Sequence, residues 1–375
     1  MGSAMSLTVL CIFGTRPEAI KMAPVVRRLA GHPGRLRLVV AVTGQHRQML
    51  DQVLDLFAIR PDFDLEVMRP EQSLAGLTAM LFSRLDGLLA EVRPDWVLAQ
   101  GDTTTVMVAA LVAFYRRVRF GHVEAGLRTG DKRRPFPEEI NRRIADLVAD
   151  AYFAPTERAR RALLAEGVPD ARIVVTGNTV IDALLDVAHR PYDWSGGPLR
   201  KVPRDRRLVL VTAHRRESFG EPFRQLCLAL RDLATACAGM GVHLVYPVHL
   251  NPNVRRPVND ILANLPNLHL LEPLDYLSIV HLMKRSTLIL TDSGGIQEEA
   301  PSLCVPVLVM RDTTERPEGV EAGMVRLVGT DRDRIVREAT RLLTDHDDHC
   351  AIKSATNPYG DGHAAERIVH YLLEH

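Results

Sequence analysis

Three carboxylates and a set of cations stand where apolar runs give way to loops, and their types and spacing suggest proton transfer beside a bound anion. Asp102 in QGDTTT, Glu124 in HVEAGLRTGD and Glu138 in PFPEEINR can each give or take a proton. Each also has a plainer reading. Asp102 with its threonines could cap a helix, and Glu138 with Glu139 could complement the dipole of a first helical turn after Pro137. The loop carrying His122, Glu124 and Arg128 is longer than a plain turn and favours chemistry.

The cations cluster elsewhere. TAHRRESFG places His214 beside Arg215 and Arg216, and MRDTTERPEG supplies Arg311 and Arg316. The run TDSGGIQEEAPS follows an apolar strand and enters a helix through Ser293, Gly294 and Gly295. That arrangement lets backbone N–H groups approach a phosphate, with Glu298 or Glu299 placed for ribose hydroxyls. The alternative is an ordinary capped helix. Near the start of the chain, GTRPEAIK has a strand–turn–helix frame in which Arg16 and Lys21 replace the glycine-rich dinucleotide fingerprint. With 47 basic and 46 acidic residues, the net charge is +1, so bulk charge draws neither nucleic acid nor an anionic membrane and any anion must be held locally.

These groups need rigid elements behind them. Short, almost wholly apolar runs (7–13, 36–42, 95–100, 119–123, 172–176, 208–212, 242–247, 287–291, 305–310) alternate with helical patterns, as expected for parallel strands covered on both faces. The class is α/β with doubly wound, Rossmann-like sheets. In 138–150 the helical spacing gathers Ile140, Ile144, Leu147 and Val148 on one face, the face expected to pack inward. The rhythm breaks at 189–206, rich in proline, glycine and basic residues. The expected plan is a domain over 1–188, a linker over 189–206, a second domain over 207–358 and a C-terminal helix over 359–375 returning to the first domain. Two such sheets would bind a ligand in a cleft outside their strand ends.

Several features lead elsewhere or nowhere. GDGHAA at 360–365 fits a dinucleotide pattern but lacks a preceding strand, and DHDDHC at 345–350 reads as a solvated loop rather than a metal site. The five cysteines, mostly in apolar runs and without C-x-x-C spacing, read as reduced core thiols. MGSAM reads as a cloning scar rather than a secretory signal, and no apolar stretch approaches a membrane span; a cytoplasmic protein is expected.

Taken together, GTRPEAIKMAP, TGQHRQML, QGDTTT, HVEAGLRTGD, PFPEEINR, TAHRRESFG, TDSGGIQEEAPSL, VLVMRDTTERPEG and NPYGDG resemble the bacterial non-hydrolysing UDP-N-acetylglucosamine 2-epimerases, in that family's order and over nearly the whole chain. The resemblance implies two Rossmann-like domains facing a cleft, the glycosyltransferase-B architecture. It implies interconversion of UDP-GlcNAc and UDP-ManNAc without metal or other cofactor, by elimination of UDP to a 2-acetamidoglucal and re-addition, supplying ManNAc units for cell-surface polysaccharide. It places Asp102, Glu124 and Glu138 in the acid/base set, and His214, Ser293, Gly294 and Gly295 at the diphosphate. Glu299 falls on the ribose, Leu274 and Ile279 on the uridine side, and Arg16, Lys21 and Arg316 on further substrate contacts. A second UDP-GlcNAc as activator would use Gln45, Gln48, Gln72, Arg215 and His249; where that pattern has a basic residue just before the glutamine, this chain has Glu71. A homodimer is also implied. The alternatives are a glycosyltransferase using a UDP-sugar donor on the same fold, a hydrolysing 2-epimerase and a non-catalytic nucleotide-sugar sensor.

Overall fold

The computed structural model describes residues 7–44, 47–69, 71–345 and 357–375. The chain divides into two compact units. The first comprises residues 1–183 with 360–375, and the second residues 184–359. The proline- and glycine-rich stretch 189–206 belongs to the second unit, where Leu199 and Val202 are buried, the Tyr192 hydroxyl meets Ser278 Oγ at 3.1 Å and the Tyr192 ring stacks on His281.

In the first unit the strands are β1 (Leu7–Phe13), β2 (Leu36–Val42), β3 (Phe63–Asp64), β4 (Trp96–Gln100), β5 (Arg119–Val123), β6 (Ala151–Ala154) and β7 (Ile173–Val175). They form one parallel sheet in the order β3-β2-β1-β4-β5-β6-β7. The second unit repeats the scheme with β8 (Arg207–Thr212), β9 (Val242–Pro247), β10 (Leu268–Leu271), β11 (Ser286–Thr291), β12 (Val307–Val309) and β13 (Val325–Leu327), ordered β10-β9-β8-β11-β12-β13. Both sheets are wholly parallel among the described residues, so both faces must be covered by helices; the near-continuous apolar runs follow from that. In each sheet the strand order reverses once, between β1 and β4 and between β8 and β11. The loops after those strands diverge and leave room for a ligand at the sheet's C-terminal edge.

The helices that position site residues have local causes. Helix α1 (Arg16–Ala30) begins with a capping box, in which Thr15 and Glu18 satisfy each other's backbone N–H groups, and has Pro17 in its first turn. The next two, α2 (Arg47–Leu56) and α3 (Leu74–Val92), cover the β2–β3 side. Helix α4 (Thr104–Tyr115) is capped by the Thr103 side chain, and its TTVMVAALVAFY packs against Leu10, Ile12, Val97 and Phe120. Burying each such aliphatic or aromatic side chain stabilises by about 2 kcal/mol.

Helix α5 (Glu138–Val148) departs from its sequence pattern. Glu139, Asn141, Arg142, Ala145 and Asp146 are buried, while Ile140 and Leu147 are 37% and 82% exposed. Of the apolar stripe expected to face inward, Val148 packs against the core, while Ile140, Ile144 and Leu147 border a surface depression of about 580 Å³ with Tyr152, Val168 and Pro169. The polar face points inward because it serves polar groups at the ends of β4 and β5, a demand that hydrophobic periodicity does not register. The chain next forms α6 (Glu157–Ala165) and α7 (Thr179–His189). The final helix, Ala364–Glu374, lies on the first unit. Asp182 accepts the backbone N–H groups of Ala364 and Ala365, and Tyr371 packs edge-on against Trp96 and Phe153. The GDGHAA segment therefore opens a helix whose N-terminus is already occupied by a carboxylate. DHDDHC lies outside the described residues except for Asp345.

Candidate active site

In the first unit, Asp102 and Glu124 lie on either side of Gly101 in the turn after β4, and Glu138 opens the helix whose Asn141 and Arg142 hold Asp102. Glu124 follows β5 with φ +68°, a left-handed conformation that costs a non-glycine residue about 1 kcal/mol. Such outliers persist only where their surroundings hold them. The Glu124 and Ala125 N–H groups both donate to the Phe153 carbonyl, at 3.0 and 3.2 Å. The Glu124 carboxylate meets Lys21 Nζ at 2.5 Å, accepts Asn178 Nδ2 at 2.9 Å and is hydrogen-bonded by Gln100 Nε2. The carboxylate thus receives an ammonium and two amide donors, a set of charge-assisted hydrogen bonds that favours its anionic form.

Asp102 sits in that turn, about one-third exposed, paired with the Arg142 guanidinium; Asn141 Nδ2 donates to its carbonyl at 3.0 Å. Gly101 lies between the two acids, and a Cβ placed on it would fall 3.7 Å from Glu124 Oε2. Glu138 begins the helix that supplies Asn141 and Arg142. One of its carboxylate oxygens is buried without a hydrogen-bond partner among the described residues. Its neighbour Glu139 is structural, accepting the N–H groups of Thr129 and Gly130 at 3.1 and 3.3 Å.

The opening turn serves the same edge. Glu18 is buried; it accepts Gly14 and Thr15 N–H at 3.0 and 2.7 Å and the Thr103 hydroxyl at 2.6 Å. Burial raises its pKa, opposed by those hydrogen bonds. Glu18 thus joins the turn after β1 to the turn after β4. A side chain on Gly14 would fall 1.9 Å from Thr43 Oγ1, so this glycine permits close packing rather than phosphate approach. Arg16 is half-buried at the start of α1.

In the second unit, the loops after β8 and β11 are joined by Thr212 Oγ1 and Thr291 Oγ1, 2.6 Å apart, and by the fully buried Asp292. Its carboxylate accepts the N–H groups of His214 and Arg215 at 2.6 and 2.7 Å. His214 stacks on His249 with ring centroids 5.3 Å apart. Burial lowers the His214 pKa, with Asp292 opposing and His249 and Arg215 reinforcing, so the imidazole is neutral at pH 7. Ser293 precedes the short helix Gly294–Glu299 without turning its hydroxyl back to cap it. A Cβ on Gly294 would meet nothing nearer than Arg215 Nη2 at 3.6 Å, and one on Gly295 nothing nearer than 4.0 Å. Neither glycine has positive φ, so neither backbone geometry nor packing explains them.

The remaining second-unit residues line the same region. Glu299 is buried and accepts the Tyr276 hydroxyl at 2.6 Å. Glu298 pairs with Arg316, whose carbonyl accepts the Tyr359 hydroxyl at 3.0 Å, while Asn357 donates to the Glu298 carbonyl. The NPYG segment thus braces the arginine loop. Leu274 is buried and Ile279 half-buried, on either side of the Asp275 cap of the helix Tyr276–Arg285. Of the residues implied for a second ligand, Gln45 lies outside the described residues, as does the side chain of Gln48. Gln72 Oε1 accepts the Arg69 N–H at 3.3 Å.

The profile of the UDP-N-acetylglucosamine 2-epimerase family matches residues 27–373. The UDP-N-acetylglucosamine 2-epimerase of Escherichia coli K12 is 55% identical over 374 residues, covering 98% of each chain. The chain belongs to the UDP-N-acetylglucosamine 2-epimerase family. It is an enzyme of the isomerase class. A solved 2-epimerase from Neisseria meningitidis, bound to UDP-GlcNAc, is 45% identical with a TM-score of 0.89, covering 98% of this chain and all of that one. A glycosyltransferase of kitacinnamycin, 12% identical with a TM-score of 0.63 over 98% and 99% of the two chains, shares the fold alone. The 2-epimerase chain thus has two Rossmann-like units of glycosyltransferase-B type. Among its described residues no helix is long and apolar enough to cross a membrane.

Sequence reading missed several of the groups that hold this 2-epimerase site in place. Asn178 lies outside every motif read from the sequence, while Asn141 and Arg142 within PFPEEINR and Asp292 and Gln297 within TDSGGIQEEAPS carry no mark that singles them out, and only their contacts reveal them. Glu18 could have been found, since Thr15-x-x-Glu18 at a strand end is a capping-box signature.

Proposed function

We propose that the protein is a non-hydrolysing epimerase that inverts C2 of UDP-GlcNAc to give UDP-ManNAc. The C2 proton lies next to an acetal carbon and is barely acidic, so removing it alone is prohibitive. A carboxylate of the first unit takes it as the C1–O bond breaks; the C–H electrons form the C1=C2 bond, and the C–O pair leaves with the diphosphate. The 2-acetamidoglucal and UDP stay bound. The diphosphate then adds back to C1 while an acid protonates C2 from the opposite face. Asp102, Glu124 and Glu138 form the acid/base set. His214 and the N–H groups at Ser293, Gly294 and Gly295 take the charge on the diphosphate. Glu299 takes the ribose, Leu274 and Ile279 the uridine side, and Arg16, Lys21 and Arg316 complete the contacts.

The observation that carries this reading is Glu124, in a left-handed conformation against Lys21, lying beside Gly101 and so beside the Asp102 turn that Arg142 holds. The test is turnover of UDP-GlcNAc in heavy water, followed by proton NMR. UDP-ManNAc should form and the C2 proton signal should disappear without any acceptor. Free ManNAc with UDP would instead mark a hydrolysing enzyme, and no exchange at C2 would exclude this chemistry.

Three further parts belong to the proposal. The protein works as a homodimer through its first unit, supported by exposed Phe114, Tyr115, Ile140 and Leu147 on the neighbouring helices α4 and α5. A second UDP-GlcNAc activates it through Gln45, Gln48, Gln72, Arg215 and His249, supported by Arg215 sharing Asp292 with His214 and by His249 stacking on it. The product supplies ManNAc units for cell-surface polysaccharide in the cytoplasm, a compartment that suits the free thiols of Cys11, Cys227, Cys237 and Cys304.

A further inference from the structure

His122 is fully buried at the end of β5, two residues before Glu124, and makes two short contacts with acceptors. Its Nδ1 lies 2.6 Å from Asp146 Oδ1 and its Nε2 lies 2.7 Å from the Gly101 carbonyl oxygen. A carbonyl cannot donate. Asp146 is held as a carboxylate, because Oδ2 also receives Arg128 at 2.8 Å and the Gly126 N–H at 3.2 Å. A neutral imidazole has one N–H and would leave one of these contacts with two lone pairs facing each other. Both bonds form only if the ring carries two protons.

The surrounding charges agree. Arg128 also pairs with Glu166 at 2.7 Å, so two acids and one arginine are balanced when His122 is cationic. The other groups facing the cluster are Arg143 beside Glu166, the Tyr152 hydroxyl on the Asp146 carbonyl, the Phe120 ring, and Asp102 and Glu124 beyond Gly101. Burial opposes the charge on His122, but Asp146 and the Gly101 carbonyl outweigh it and the pKa is raised. The two ends of this contact are the backbone of the residue before Asp102 and the strand end leading to Glu124.

We propose that His122 is a buried imidazolium, held by Asp146, that positions the Asp102 and Glu124 loops against each other, and that turnover fails when it loses its proton. The role in turnover rests on the acid/base reading given above. On deprotonation the remaining N–H stays with the Asp146 carboxylate, the stronger acceptor, and the bond to Gly101 is lost, releasing the Asp102 turn. His122 acts through other residues and touches no reacting atom.

The test combines nitrogen NMR of histidine-labelled protein with pH–rate profiles of wild type and Asp146→Asn. In wild type, one histidine near the Phe120 ring should keep both ring nitrogens protonated at pH 8. In Asp146→Asn that signal should become a single-proton imidazole at pH 8. Its kcat should fall on the order of 100-fold with KM within about threefold, and its alkaline limb should move to lower pH. A retained cooperative urea transition serves as the folding control. A neutral His122 at pH 7 in wild type overturns the proposal, and that titration needs no variant. So does an Asp146→Asn enzyme with wild-type kcat and alkaline limb. A wild type that does not epimerise removes the acid/base reading and the positioning role with it, while the titration still decides whether His122 is an imidazolium.

Discussion

The two units share a strand order yet build their ligand edges by opposite means. In the first, charged side chains are fixed by other side chains: Glu124 by Lys21, Gln100 and Asn178, and Asp102 by Arg142. Its glycines are demanded by packing, as at Gly14 and at Gly126, where a Cβ would lie 2.4 Å from the Ala159 carbonyl oxygen. In the second, the main feature is room at Gly294 and Gly295, where an added Cβ would meet nothing nearer than 3.6 Å although Gly294 itself is buried. On the proposed function the difference follows the tasks. Proton transfer needs atoms held to within a fraction of an ångström, whereas a diphosphate needs donors that it can reach and a surface that tolerates its arrival and departure.

The strongest way to break this comparison is to remove the charge from Glu124. Glu124→Gln should lower kcat on the order of 1000-fold with KM within about threefold, measured by NMR of UDP-ManNAc formation; a change confined to KM would move Glu124 out of the chemistry. Next, Gly126→Ala should destabilise the protein by roughly 3 kcal/mol, through a clash and an unfavourable positive φ, read from the urea midpoint. Gly294→Ala should do the reverse. Its melting temperature should stay within about 1 °C of wild type, while UDP affinity by calorimetry falls roughly tenfold, about 1.4 kcal/mol. Equal stability losses in the two glycine variants would erase the contrast.

The pH dependence of stability should also differ by unit. His122 has a raised folded pKa, so its contribution is complete below about pH 6.5 and is lost as pH rises through the folded value. Glu315 in the second unit behaves oppositely. Burial would raise its pKa, but hydrogen bonds from Arg311 outweigh it and bring it down to about 2. Its contribution is present above about pH 4.5 and is lost as pH falls toward 2. Solvent screens this part-exposed pair, so Glu315→Gln should only slightly flatten the fall in urea midpoint between pH 5 and 3. An acid limb unchanged by Glu315→Gln would leave the second unit without this contribution.

Much of the fold could be read because parallel strands advertise themselves. Burial on both faces makes LTVLCIF and LRLVVAV apolar throughout, and β1 and β2 span those stretches. The strands that escaped notice, such as β6 with AYFA and β13 with VRL, are three or four residues long, too short for any period to register. Helix α5 misled for a different reason. Its apolar residues are real, but hydrophobic spacing cannot tell a core face from one left at the surface when the opposite polar face has its own buried partners.

The sequence by itself determined the two parallel sheets and the motifs that mark their strand ends, because chain-local sterics, capping and burial on both strand faces are written in neighbouring residues. Only the tertiary structure decided which of two adjacent acids braces a loop through its backbone N–H groups and which keeps an oxygen without a partner among the described residues, as at Glu139 and Glu138. It also decided that His122 lies between Asp146 and Gly101, contacts across 24 and 21 residues. Charge state and hydrogen-bond partnership are properties of groups brought together in space, and no local pattern records them.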